Sequence, residues 1–447
     1  MQITKKAYDG IRKILGESPW YDAHEGVNTG LNQVYWIDIV SEESSGLLIT
    51  NPPSPGQKKK VKQVRKIIER DLVYVQIKGK DVKKWYAVGK SWMVIPHNPE
   101  NGKPILEKEM REKYPKTYDY FLNFRRELET RSIYKLWGKG DPFYSVFDIG
   151  HYTFAPYKVV WKNITGAITG KATEFACAVI SKVKDKYLGE KLAIPNVKLM
   201  LIPFTNEDEA YYVCSILNSS PVTLAVASYV IETGISTHIT RFLKIPKFDI
   251  RCVNHQKLSQ LSRKAHELAR RYFELGDLIA YMELKVIESE IDKLVAELYG
   301  ITAEELIEIK RALAILRGLE FEEEIEVEET LKEEPDVIMG NTTFLKGTFC
   351  NLDLMIVNPY NEPLKNVKIK VKLQDNEFEK LLGEVIDKAD LSIPLGILDV
   401  GQYEVKIVME YSHDNHLRKV EKNIPLYVKH SEESVIRRSR IDELFGD

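Results

Sequence analysis

No run of about 18 apolar residues occurs in the 447-residue sequence, so nothing in it reads as a membrane-spanning helix. The first ten residues, Met1 to Gly10, lack the apolar stretch of a signal peptide. Cysteine is scarce: Cys177, Cys214, Cys252 and Cys350 are far apart, form no CxxC pair and sit among apolar residues. That pattern excludes a disulfide scaffold and a spaced zinc site, and it reads as reduced, buried thiols of a cytoplasmic protein. There is no phosphate loop, no nucleophile elbow, no HExxH and no internal repeat, which removes the commonest nucleotide, hydrolase and zinc-protease chemistries. Hydrophobic residues at 44% and charged residues at 29% are ordinary for a globular chain, whereas 23 tyrosines make the aromatic share generous. The length calls for about three or four domains.

The net charge of −2 conceals an asymmetry. Residues 320–334 carry Glu322, Glu323, Glu324, Glu326, Glu328, Glu329, Glu333 and Glu334 against one lysine, Lys332, and the remainder of the chain is net positive. Mutual repulsion makes that run a solvated linker. Basic residues crowd at Lys58, Lys59, Lys60, Lys62, Arg65 and Lys66, and again at Lys78, Lys80, Lys83 and Lys84. Alone, such clusters are solvated loops; with Trp85, Tyr86 and Trp92 directly behind, they suit contact with a phosphate backbone.

Hydrophobic patterning divides the chain into six stretches. Residues 1–115 hold short strand-like runs at 34–40, 46–50, 72–77 and 91–96, broken by Gly, Pro and Asn. Residues 116–252 are mixed. A helical pattern at 107–129 leads into this stretch, strands are expected at 158–161, 177–181 and 198–202, and a helix at 207–217 opens on Glu207, Asp208 and Glu209. Residues 253–319 are helical, with Ile287, Ile291, Leu294 and Leu298 as a packed stripe, Gly300 as a C-cap and Thr302 with Glu305 as a capping box. The acidic linker (320–334) precedes a β-sandwich expected at 335–430, of the immunoglobulin-like kind, and a charged tail at 431–447. The expected fold class is therefore α+β and multidomain: a mixed α/β recognition region, a helical segment and a C-terminal sandwich.

Candidate catalytic motifs are incomplete. Asn51-Pro52-Pro53 echoes the Asn-Pro-Pro-aromatic loop of amino-methyltransferases, but Ser54 stands where a ring should stack on the extruded base. The roughly fifty residues before it contain no glycine-rich cofactor-binding turn. Asn358-Pro359-Tyr360 reads as turn chemistry. His413-Asp414-Asn415-His416 reads as a hairpin turn rather than a metal site, and Asp375, Glu377, Glu379 and Lys380 lack the fixed carboxylate pair of a nuclease. No catalytic or metal-ligating residue is assigned.

Four strings stand out. They are Ala23-His24-Glu25-Gly26-Val27-Asn28-Thr29-Gly30-Leu31-Asn32 with Tyr35-Trp36, and Ile77-Lys78-Gly79-Lys80-Asp81-Val82-Lys83-Lys84-Trp85. The others are Tyr152-Thr153-Phe154-Ala155-Pro156-Tyr157-Lys158-Val159-Val160-Trp161-Lys162, and Ser236-Thr237-His238-Ile239 with Ile245-Pro246-Lys247-Phe248-Asp249. In this order they resemble the C-terminal half of adenine-specific DNA methyltransferases of the type IIG restriction–modification class, a half related to the TaqI-like specificity domain. Asn218-Ser219-Ser220 resembles that half's closing segment. The resemblance covers residues 14–300 and leaves the sandwich outside.

The resemblance implies a target-recognition function without the catalytic domain, which would be supplied by a methyltransferase subunit or a missing segment. S-adenosylmethionine would be bound there, so no cofactor is expected in this chain. The implied partners are double-stranded DNA and that catalytic subunit, with no membrane. The candidate DNA-contacting residues are Asn28, Thr29, Lys58, Lys59, Lys60, Lys78, Lys80, Lys83, Lys84, Arg125, Arg126, Tyr157, Lys158, Lys162, Thr237 and His238.

Several of these keep two readings. Gly26, Gly30 and Gly79 either allow close approach to phosphates or are turn glycines. Arg125, Arg126 and Arg131 either read guanine edges or form a charged helix face. Thr237 and His238 are either contacts or structural. On the strand 157–162, alternation puts Lys158 and Lys162 on one face and Tyr157 and Trp161 on the other, with Trp161 in the core and Lys158 the better contact. A different class of function, a non-catalytic scaffold of a phage-defence complex, predicts sequence-indifferent DNA binding with tight protein partners.

Overall fold

The computed structural model describes residues 3–52, 61–138, 140–163, 175–229, 237–317, 334–339, 343–345, 349–360, 362–374, 376–386, 388–414 and 416–429. The chain is a mixed α+β protein that separates into two compact units, residues 1–276 with 283–323 and residues 277–282 with 324–447. The boundaries expected near 115 and 252 both fall inside the first unit. Among the described residues, no single helix is long and apolar enough to cross a membrane.

The first unit is built on two sheets. The larger has seven strands in the order Lys182–Asp185, Gly189–Pro195, Val73–Ile77, Ser91–Val94, Trp36–Glu43, Gly46–Thr50 and Arg65–Ile68. Its pairs are antiparallel except one: Gly189–Pro195 runs parallel to Val73–Ile77, with Ala193 opposite Val75. Every residue of Val73–Ile77 is buried, as a central strand covered on both faces requires. The smaller sheet is antiparallel, in the order His24–Glu25, Leu199–Phe204, Tyr157–Lys162 and Cys177–Ile180. A seam of Ile77, Val82, Val160, Ile180, Ala193, Leu199 and Leu201 packs the two sheets together.

The helices follow their local signals. Glu207–Asn218 starts on Asn206, whose side chain accepts from the Glu209 N–H, with three acidic residues in the first turn. Ala303–Leu316 starts on a full capping box between Thr302 and Glu305, and Gly300 before it sits at φ +65°. Lys5–Arg12 lies so close to that helix that a Cβ on Gly10 would come within 3.0 Å of Ile309 Cδ1. Residues 107–129, expected as one helix, form three: Glu107–Lys113, Pro115–Leu122 and Arg125–Glu129. Pro115 lacks an N–H and crowds the preceding turn, so it ends one helix and begins the next.

The second unit has two sheets over one core. Asp336–Met339, Phe349–Val357 and Lys388–Ile397 form the smaller. Thr343–Leu345, His416–Lys429, Gly401–His413, Leu364–Leu373 and Asn376–Val385 form the larger, in that order. Inward residues of both, among them Leu352, Leu354, Ile369, Val371, Val405 and Ile407, make a shared apolar interior. Cys177, Cys214 and Cys350 are buried free thiols and Cys252 is half-buried; Cys177 Sγ and Cys214 Sγ lie 3.5 Å apart.

Candidate nucleic-acid interface

The strands Val73–Ile77, Gly189–Pro195 and Tyr157–Lys162 end near one another, and their ends carry cations. After Ile77 the chain tightens into a 3-10 turn, Gly79–Asp81, closed by Asp81 Oδ2 accepting from the Lys78 N–H at 2.8 Å. Asn196, just past Pro195, donates its N–H to Ile77 O at 3.0 Å, and Lys198 Cβ would lie 3.8 Å from a Cβ on Gly79. Asn163, just past Lys162, donates its N–H to Lys198 O at 2.9 Å. Lys78, Lys80, Lys162 and Lys198 thus gather where the two sheets meet.

The glycine string locks onto the same place. Val27 N–H donates to Pro195 O at 2.9 Å, Val197 N–H to Val27 O at 3.0 Å, and Gly26 N–H to Leu199 O at 2.8 Å. A Cβ on Gly26 would fall 2.2 Å from Asn196 O, a backbone atom with nowhere to go. The close approach that Gly26 permits here is to the protein's own chain. Gly26→Ala is therefore expected to cost on the order of 3 kcal/mol through forced displacement of the 195–198 turn. A thermal unfolding midpoint unchanged from wild type would refute that packing.

Electrostatics single out four of the lysines. Lys80, Lys162 and Lys198 are exposed and Lys78 is half-buried, its Nζ 4.4 Å from the Trp36 ring centroid. None of the four has a carboxylate within salt-bridge distance among the described residues. Burial, then the charge of Lys80, pulls the Lys78 pKa below its ordinary value, against the opposing pull of Asp81 and Asp38. An anion arriving at this site would relieve the repulsion between the two ammonium groups. Lys198 was not among the sequence candidates, because it stands alone between Val197 and Leu199 with no basic run to mark it.

The other candidates have different surroundings. Lys83 is exposed, with Nζ 4.1 Å from the Phe273 ring centroid. Lys84 is engaged: its Nζ is 2.8 Å from Glu288 Oε1, which also accepts from Trp85 Nε1 at 2.8 Å. Burial would raise the Glu288 pKa, but the charges of Lys84 and Lys285 and the two hydrogen bonds outweigh it and hold the group at about 2. Trp85 itself is buried at φ 62°, a left-handed conformation costly for so bulky a residue, fixed by its N–H donating to Cys177 O. Lys84 thus serves a buried structural pair.

Lys158 is a correction. It is fully buried, and its Nζ donates to Ala155 O at 2.7 Å. Alternation does place it on the face of Lys162, but at position 158 that face is covered, so it cannot reach a phosphate. Trp161 is also fully buried. Tyr157 stands at the opposite end of its strand from Lys162, about 16 Å away at strand rise. Thr29 is a second correction: it is buried, donating to Asn32 Oδ1 at 2.7 Å and accepting from the Leu31 N–H at 3.2 Å. Asn28 is half-buried and accepts from the Gly30 N–H at 3.1 Å, leaving its amide edge for a ligand.

Arg125 is exposed, 4.6 Å from the Phe143 ring centroid and 2.8 Å from Glu129 Oε1, and Arg126 is exposed on the same short helix. Thr237 is half-buried, and His238 is exposed at the start of the turn Ile239–Phe242. Nothing brings these four residues to the lysine site. Lys58, Lys59 and Lys60 lie outside the described residues. Asn51 is 1% exposed, its side chain accepting from the Val64 N–H at 2.7 Å and donating to Lys62 O at 3.0 Å. Its polar groups close a loop and are not available to a base.

No family model and no curated protein matches the chain. Among solved structures, it is similar to the sporulation control protein Spo0M from Bacillus subtilis, at 11% identity and a TM-score of 0.15. The match covers 22% of this chain and 49% of that one, so the chain spans about half the length of that structure. A likeness this weak defines neither fold nor function.

Proposed function

We propose that the chain is the DNA-recognition module of an adenine-specific DNA methyltransferase of the restriction–modification or phage-defence type. In this reading a separate catalytic domain binds S-adenosylmethionine and transfers the methyl group to an extruded adenine. The observation that carries the reading is the meeting of three of the four strings at one place. Gly26–Asn28, Lys78–Lys80 and Lys162, far apart in sequence, converge with Lys198 around ammonium groups that lack carboxylate partners among the described residues. Unpaired cations at rigid strand ends suit phosphate contact, and the amide of Asn28 suits a base edge. A cytoplasmic location fits the reduced thiols.

We further propose that the second unit is immunoglobulin-like. Its strand order supports this: the two sheets map onto three- and five-stranded layers, with the short Thr343–Leu345 strand parallel to His416–Lys429. Tyr403, near the start of Gly401–His413, donates its hydroxyl to Asp399 O at 2.8 Å, the arrangement of a tyrosine corner.

Salt titration tests the first reading. The wild-type chain should bind duplex DNA with a steep salt dependence. Changing Lys78, Lys80, Lys162 and Lys198 together to Ala should flatten the log–log slope by about 3 to 4 and weaken binding on the order of a thousandfold at 0.15 M salt. An unchanged slope in a variant with wild-type circular dichroism would remove the lysines from the interface. Transfer of labelled methyl groups to plasmid DNA should require an added catalytic subunit; methylation by this chain alone would overturn the division of roles.

A further inference from the structure

In the second unit, a loop and a hairpin bring together Glu362, His413 and Asp414, whose potential ligand atoms all lie within 4.8 Å of one another. The loop is internally organised. Asn358 Nδ2 donates to Glu362 O at 2.9 Å and its Oδ1 accepts from the Tyr360 N–H at 3.0 Å, which fixes the backbone of Glu362 and the position of the Tyr360 ring. That ring stacks on His413, centroids 3.9 Å apart at 18°, and so holds the imidazole orientation. Asp414, at φ 53°, occupies the left-handed position of the tight turn that pairs His413 with His416.

The second observation is the state of the imidazole. His413 Nδ1 is shielded from solvent and has no hydrogen-bond partner. It is 3.3 Å from Asp414 Oδ2, but outside hydrogen-bond geometry. A ring nitrogen shielded from solvent without a partner is costly, and two exposed carboxylates stand beside it. One divalent cation among the three would satisfy that nitrogen and take both carboxylates as further ligands.

We infer that Glu362, His413 and Asp414 form a binding site for a divalent transition-metal cation of the zinc(II) class. One imidazole nitrogen and two carboxylate oxygens are ligands zinc accepts, at about 2.0–2.2 Å, and three protein ligands leave a fourth position open to water or a partner's side chain. Small side-chain rotations draw the ligand atoms inward from their present separations, and the Tyr360 stack pre-positions the imidazole. The inference is independent of the DNA-recognition reading, because it concerns the second unit alone.

The test is zinc titration of the full chain by calorimetry after chelator treatment and dialysis, with unfolding midpoints measured in parallel. Wild type should take up one zinc ion at this site and unfold at higher temperature with zinc than without. Asp414→Asn, which keeps a residue at ease in the left-handed turn, and His413→Gln should each weaken uptake at least about tenfold. His416→Gln, across the turn and outside the triad, should not. Absence of zinc uptake by wild type would overturn the inference. Uptake retained in both Asp414→Asn and His413→Gln would overturn it equally, by placing the zinc elsewhere.

Discussion

Arg131→Met is expected to destabilise the first unit by on the order of 4 kcal/mol, although methionine fills much of the same volume. Arg131 is 1% exposed. Its Nε donates to Leu128 O at 2.9 Å, Nη1 to Thr29 O at 2.5 Å, and Nη2 to Phe143 O at 2.7 Å and Ser145 O at 3.0 Å. The rings of Tyr35, Tyr134 and Phe147 surround the guanidinium at 5.5 to 5.7 Å. Carbonyl dipoles and aromatic faces thus compensate a buried cation that has no carboxylate in salt-bridge contact among the described residues.

Removing the donors strands the carbonyls of Thr29, Phe143 and Ser145, whereas Leu128 O keeps the backbone N–H of residue 131, and each stranded carbonyl carries its own desolvation cost. Arg131→Lys should fail nearly as badly, because three donors on one nitrogen cannot span carbonyls of four residues. Urea unfolding of the full chain, followed at the first unit's tryptophans, measures the loss. A loss below about 1 kcal/mol for either variant would mean that the guanidinium does not hold these segments together.

Lys158→Met is expected to do the reverse and to change the pH dependence of stability. Burial pushes the Lys158 pKa down to about 7 from an ordinary value near 10.5. The unfolded chain therefore holds a proton that the folded chain has released throughout pH 7 to 10.5. Stability must rise with pH across that window, by up to about 1.4 kcal/mol per unit and roughly 5 kcal/mol in all. Below pH 7 the full cost of burying the amine is present; above 10.5 it is gone.

Methionine removes the titrating group, so the variant should be the more stable at pH 7 by a few kcal/mol. Its advantage should shrink steadily towards pH 10. Comparing the two proteins at each pH cancels the contribution of every other group. An advantage that does not vary with pH would show that Lys158 keeps an ordinary pKa in the folded chain.

Arg131 and Lys158 also show where sequence reasoning stops. Both are basic residues that the sequence offers as DNA contacts, and charge alone favours the surface. Arg131 is drawn inward because Leu128, Thr29, Phe143 and Ser145 present carbonyls to one point, and Thr29 is about a hundred residues away along the chain. Lys158 is covered because its strand is interior to the four-stranded sheet and its face packs towards the larger one. Neither fact leaves a trace in local pattern. Lys198 is the opposite case: an unremarkable lysine that gains its place only when the 195–198 turn docks against Ile77 and Asn163.

The sequence by itself determined what depends on neighbours along the chain. The capping box of Thr302 and Glu305, the acidic start at Glu207, the reversal at Gly300 and the alternation along Tyr157–Lys162 follow from interactions a few residues long, which composition and period record directly. Only the tertiary structure decided which of two outward-looking lysines on that strand is buried, which carbonyl forces a glycine at position 26, and which carboxylate joins the His413 hairpin. Each of these is a contact between segments distant in sequence, and its energy comes from desolvation and exclusion of volume. Those terms are set by what the fold packs against a residue, whatever its immediate neighbours are.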